Sequence, residues 1–179
     1  MPVAARDPRP LTGEPLSLDL LNTRWMHDGV ARDLLTDTEG LAVWLAANAL
    51  DFTADEATLR HALTARDALR AAVDGSLTES ADRVDAVLAH GRIRATLTAA
   101  GPGEKAEFRD PSWGPAWLAA RDYLELLSTA PDRIRHCAHE ACVLHFFDTS
   151  RNGTRRWCSM AACGNRAKAS RHYARTREG

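Results

Sequence analysis

The chain has 179 residues, enough for one ordinary domain with a small appended module, and its 45% hydrophobic content is enough to pack a core, so general disorder is excluded. No apolar run approaches the ~20 residues of a membrane span, and Met-Pro-Val-Ala-Ala-Arg-Asp-Pro has no apolar signal core, so a soluble cytoplasmic chain is expected. The net charge of −1 conceals a division, because residues 1–130 carry 13 Lys and Arg against 20 Asp and Glu while residues 131–179 carry 10 against 4. An acidic body joined to a basic segment suggests that the segment meets a polyanion and the body has another task. Mutual attraction of the two halves is the plainer alternative.

Residues 1–13 hold three prolines, Arg6, Asp7, Arg9 and Gly13, and are expected to form a loosely draped arm. Leu16, Leu18 and Leu20 recur at period two, which predicts an extended strand ending at Asn22-Thr23. Asn22, Thr23 and Arg24 cluster where that strand would emerge. With Asp19 and Arg66 they form a candidate site for a small ligand. Thr36 to Glu39 has capping-box spacing before Leu41, Trp44 and Leu45. Thr53 to Glu56 repeats the device and opens a helix to about Val73. Arg66 and Arg70 fall in or beside the apolar stripe of that helix. They either snorkel to its rim or meet an anion, with Asp19 as a plausible partner or an acidic ligand in its place.

Glu79 to His90 reads as another helix. Ile93, Ala95 and Leu97 suggest a strand, Gly101-Pro102-Gly103 a turn, and Ala106 to Arg109 the returning strand. Ser112 is placed to cap a helix whose apolar face carries Trp113, Trp117, Leu124 and Leu127. Ala130-Pro131 ends it. The body therefore spans residues 14–130 and a C-terminal module residues 131–179.

All four cysteines fall in that module, as Cys137-x4-Cys142, fifteen residues, then Cys158-x4-Cys163. Two pairs with equal gaps suit one tetrahedral site, and zinc is the first reading. Disulfides and iron or an iron–sulfur centre are the alternatives, and an oxidising compartment is what the disulfides lack. Four thiolates fill a tetrahedron and leave no position for water, so the metal's role is structural. Short strands around each knuckle and a helix from Gly164-Asn165 to about Thr176 give a treble-clef-like arrangement, with Phe146, Phe147 and Trp157 as a small core. A module of ~45 residues leans on its metal for folding.

Lys168, Arg171, His172 and Arg175 fall on about one third of that helix. Arg151, Arg155 and Arg156 extend the patch along the hairpin, and Asn165 and Arg166 could read base edges. No acidic residue occurs between Arg151 and Arg177. Nucleic acid, DNA before RNA, is the expected partner over an ordinary solvated face.

Cys163-Gly164-Asn165-Arg166 in this C-x4-C…C-x4-C frame resembles the CGNR zinc-finger family. Leu18-Asp-Leu-Leu-Asn22-Thr23 and Leu41-x-x-Trp44-Leu45 look like the ABATE domain joined to that finger. The resemblance implies a stress-linked bacterial transcription regulator with a DNA-binding finger. The expected fold class is α+β: a mainly helical N-terminal domain with a few strands, plus the zinc module. The body would sense a small-molecule effector or mediate assembly, homodimerisation included. A protein–protein adaptor is the second reading. An enzyme is not expected, since no nucleophile elbow, phosphate loop or His-Glu helix motif occurs and His27, His61 and His90 lack evident partners.

Overall fold

The structure, a computed structural model, describes residues 7–166 and 168. In order its elements are α1 (Leu16–Leu21), β1 (Arg24–His27), β2 (Val30–Asp33), α2 (Thr38–Ala47), α3 (Glu56–Asp74), α4 (Leu77–Leu88), β3 (Gly91–Thr98), β4 (Gly101–Phe108), α5 (Gly114–Thr129), β5 (Ile134–His136) and β6 (His145–Phe147). The strands pair as three separate antiparallel hairpins, and the protein is α+β, mainly helical up to residue 130. The long helix α3 is the centre of the helical layer, packing against α1, α4 and α5. Among the described residues no helix is long and apolar enough to cross a membrane.

The first predicted strand is instead the helix α1. Ser17 to Leu21 are all buried, so the element is enclosed on every side and its leucines carry no usable period. Its N-terminus is satisfied from outside: Asp122 on α5 accepts from the Ser17 N–H at 2.8 Å and from its hydroxyl at 2.6 Å. The two helix caps also sit later than expected. Asp37, not Thr36, accepts from Gly40 N–H at 2.8 Å, and Asp55, not Thr53, accepts from Thr58 N–H at 2.8 Å.

Residues 24–33, for which the sequence suggested no element, form a hairpin. Asp28 and Gly29 take φ of 49° and 76°, as a two-residue turn with both central residues left-handed requires. The second hairpin bends at Ala99-Ala100, since Thr98 pairs with Gly101. The Thr98 hydroxyl accepts from Ala100 N–H at 3.2 Å. Pro102 lies within β4 opposite Leu97, where a free strand edge needs no N–H. Ser112 does not cap α5. It lies in a short 3-10 turn, Pro111–Trp113, and hydrogen-bonds Asp110 Oδ1 at 2.8 Å and His61 Nδ1 at 3.0 Å. Trp113 beside it is stacked between His61 and His90, with ring centroids 3.8 and 3.6 Å away.

One apolar cluster runs through the whole arrangement. Leu18, Trp44 and Leu69 of the helical layer share it with Leu144, Phe146 and the four cysteines, and Phe147 and Trp157 pack against it.

Candidate metal centre

Backbone hydrogen bonds shape the first knuckle. Cys137 N–H donates to Leu144 O at 2.9 Å, Ala138 N–H to Arg156 O at 2.8 Å, and Cys142 N–H to His139 O at 2.8 Å. The second knuckle is a single π turn, Met160–Gly164, which carries Cys163. Ser159 caps it, its hydroxyl accepting from Ala162 N–H at 3.0 Å, and Gly164 N–H donates to Ser159 O at 3.0 Å. Winding thus begins before Cys163 rather than after it, and Asn165, Arg166 and Lys168 continue helically. Between the knuckles, the Asp148 carboxylate accepts from Ser150 N–H at 2.9 Å and Arg155 N–H at 3.0 Å, which holds the loop shut.

The four Sγ atoms lie within 4.8 Å of one another, with Cys142 to Cys158 at 3.8 Å and Cys158 to Cys163 at 3.6 Å. A disulfide needs about 2.05 Å. Zinc–sulfur bonds of ~2.3 Å in a tetrahedron give sulfur–sulfur edges of ~3.8 Å, so the donor set has the size and chemistry for zinc. Cys158 N–H also points to Cys137 Sγ at 3.4 Å, an approach that favours a thiolate. Protons alone serve such a cluster badly. Cys142 and Cys158 hydrogen-bond to Cys137 and hold its pKa far below the usual thiol range. The same bond to Cys137 pushes Cys142 up to about 12, and raises Cys158 too. A bound dication lets all four ionise together.

The cysteine module is keyed into the helical layer by polar contacts. Asn22 clasps the backbone of buried His145, its Nδ2 donating to His145 O at 2.8 Å and its Oδ1 accepting from His145 N–H at 2.9 Å. The His145 ring meets Asp74 Oδ1 through Nε2 at 2.7 Å. Glu14 accepts from Phe147 N–H at 2.9 Å. Arg70 donates to Leu21 O at 2.9 Å and Val143 O at 3.4 Å.

Residues 133–176 match the CGNR zinc finger, and residues 14–130 match the ABATE family, described as "Putative stress-induced transcription regulator". The chain belongs to the ABATE family. No curated protein matches it.

On the CGNR finger, Arg151, Arg156, Asn165, Arg166 and Lys168 are exposed. The Arg156 guanidinium lies 5.2 Å over the Trp157 ring. Arg155 is turned inward: it donates to Trp157 O at 3.1 Å and to Cys158 O, reaches Glu14 at 3.3 Å and lies 4.2 Å over Phe146. It braces the finger rather than extending its outer face. Arg171, His172 and Arg175 lie outside the described residues.

In the ABATE domain the candidate ligand residues are tied into separate contacts, apart from a bond between Thr23 and Arg66. Asp19 is buried and accepts from Arg9 at 2.7 Å, Trp44 Nε1 at 3.0 Å and Asn48 at 2.9 Å, so its partner is Arg9 rather than Arg66 or Arg70. Asn22 holds His145. Thr23 donates to Leu20 O at 2.7 Å and accepts from Arg66 at 2.8 Å. Arg66 is buried, not snorkelled, and forks onto Asp33 at 2.7 and 2.8 Å. Burial raises the Asp33 pKa, but the Arg66 hydrogen bonds and charge outweigh it and hold the carboxyl below its usual range. Arg24 alone of the five is exposed. Sequence patterns gave no sign of Asp33, Asp74 and His145 in these ties. The Asp28-Gly29 pair was the signal that could have placed β2, and with it Asp33 and Arg32, beside Arg24.

Proposed function

We propose that this chain is a transcription regulator in which the finger, residues 131–179, contacts nucleic acid, DNA in preference to RNA, and the ABATE domain, residues 14–130, senses a ligand or mediates assembly. The observation that carries this reading is the exposure of the finger's basic residues. Arg151, Arg156, Arg166 and Lys168 stand exposed, and no carboxylate side chain occurs from 151 to 177. Among the described residues none of these four makes an ion pair, and such cations attract a phosphate backbone and release its counterions. Asn165 is exposed beside Arg166 at the start of the winding, where either can meet a base edge. Arg171, His172 and Arg175 extend the set by sequence.

Cys137, Cys142, Cys158 and Cys163 would hold zinc in a closed tetrahedron, so its part is to fold the finger rather than to activate water. A reducing compartment such as the cytoplasm suits such thiolates. A single small finger binds weakly, and pairing of two chains through the ABATE domain would add avidity. Catalysis forms no part of this reading.

The test is binding of the zinc-loaded chain to random duplex DNA across a salt series, beside the Lys168→Ala, Arg171→Ala, Arg175→Ala triple variant. Affinity should fall linearly in log–log form with salt. The variant should flatten the slope by about 0.9 for each phosphate it no longer neutralises. Zinc-replete protein with no salt-dependent binding would sink the reading and leave the finger as a protein-docking module.

A further inference from the structure

Three arginines from three elements line one cavity of about 260 Å³ where the ABATE domain meets the finger. Arg24 and Arg32 come from the two strands of the first hairpin and Arg70 from α3. Trp25, Met26 and Val143 supply apolar wall, and Val143 belongs to the finger, directly after Cys142.

The charge around this cavity is out of balance. Both Asp33 oxygens are taken by Arg66, and Arg24 reaches Asp33 only at 3.4 Å. Asp74 gives Oδ1 to His145 and reaches Arg70 only at 3.7 Å. Arg32 is exposed, and its side chain makes no hydrogen bond or ion pair among the described residues. Among the described residues, four guanidiniums therefore share two carboxylates. Burial, chiefly, depresses the Arg70 pKa against the pull of Asp74, with smaller contributions from the charges of Arg66 and Arg24.

We propose that this cavity binds a small organic anion whose carboxylate or phosphate group meets Arg24, Arg32 and Arg70 while its apolar part lies on Trp25 and Val143. Guanidinium forks match both anions, and the volume suits a compact molecule rather than a dinucleotide. A continuous nucleic-acid strand fits the site less well, because the apolar wall of Trp25, Met26 and Val143 offers nothing to a phosphate backbone. Arg70 also donates to Val143 O, so an anion that draws on its guanidinium acts on a contact between domain and finger. The proposal rests on the ligand-sensing reading of the ABATE domain and gives that ligand a chemistry and a place.

Titration calorimetry on the full zinc-loaded chain tests it, with inorganic phosphate, pyrophosphate and benzoate as separate probes. Arg24→Ala and Arg32→Ala are the variants, checked for unchanged thermal unfolding. Saturable binding of at least one probe is expected, weakened about tenfold or more by each substitution, as removal of a charge-assisted hydrogen bond implies. The probe that binds tells phosphate from carboxylate. No saturable binding of any probe overturns the proposal, and so does affinity that both folded variants keep. DNA binding is measured on the same samples. Loss of DNA affinity in Arg32→Ala with no anion binding makes the patch a nucleic-acid surface instead. Intact DNA binding without anion binding sinks this inference alone, whereas absence of both sinks the regulator reading as well.

Discussion

Arg66 and Asp33 show how little a residue's chemistry says about its partner. An arginine on an apolar helix face either snorkels to the rim or meets an anion, and the sequence left both open. The anion comes from β2, 33 residues earlier in the chain, which no spacing announces. The pair is also asymmetric, because the Arg66 side chain is 5% exposed and that of Asp33 is 23% exposed. Asp33→Ala should cost about 3–5 kcal/mol by leaving a buried guanidinium unpaired, and Arg66→Met should cost roughly half as much because the freed carboxylate can hydrate. Urea titration of both variants measures the difference, and equal costs would contradict this ordering.

His145 gives a second residue-scale prediction. Burial pushes its pKa down to about 4, despite the opposing charge of Asp74. The folded value lies below the ordinary ~6.5, so the unfolded chain binds the extra proton first. Stability from this group is therefore complete above pH ~6.5 and is lost as pH falls through the window down to about 4. The loss is on the order of 3 kcal/mol. Urea midpoints measured between pH 7 and 4 should fall, and fall less in His145→Gln.

At the scale of elements, the caps and turns were legible as devices but misplaced by a residue or more. Thr and Asp both cap helices, and Gly and Pro both mark turns, so composition locates the region and only the neighbouring geometry picks the residue. The helix α1 was illegible for a different reason. Burial on all sides erases the contrast between faces on which periodicity depends. Asn22, at its C-terminal end, then joins elements that are far apart in sequence, α1 and β6. Asn22→Ala removes both hydrogen bonds from the buried His145 backbone and should cost about 2–4 kcal/mol. Hydrogen exchange of the His145 amide should accelerate with it, and an unchanged rate would show that the clasp does not hold β6.

At the scale of the molecule, the cysteine cluster and the helical layer share one apolar core, with Phe146 and Leu144 packed into it. Metal removal should therefore disturb more than the finger. Chelation is expected to release one zinc per chain, expose Trp157 to solvent and lower the unfolding temperature of the ABATE domain as well. Tryptophan fluorescence and calorimetry on the same sample check this. An ABATE domain that melts unchanged after zinc release would mean that the two units fold independently.

The sequence by itself determined what is local or compositional: the α+β class, the four-cysteine frame, the basic character of the finger and its family resemblance. Equal cysteine gaps encode a ligand set because each knuckle closes within its own few residues. Only the tertiary structure decided which charges meet. Arg9 with Asp19, Arg66 with Asp33, Asp74 with His145 and the arginines gathered around Trp25 all join residues from different segments. Electrostatic partners are chosen by proximity in a buried, low-dielectric setting, and that proximity exists only once the helices have packed.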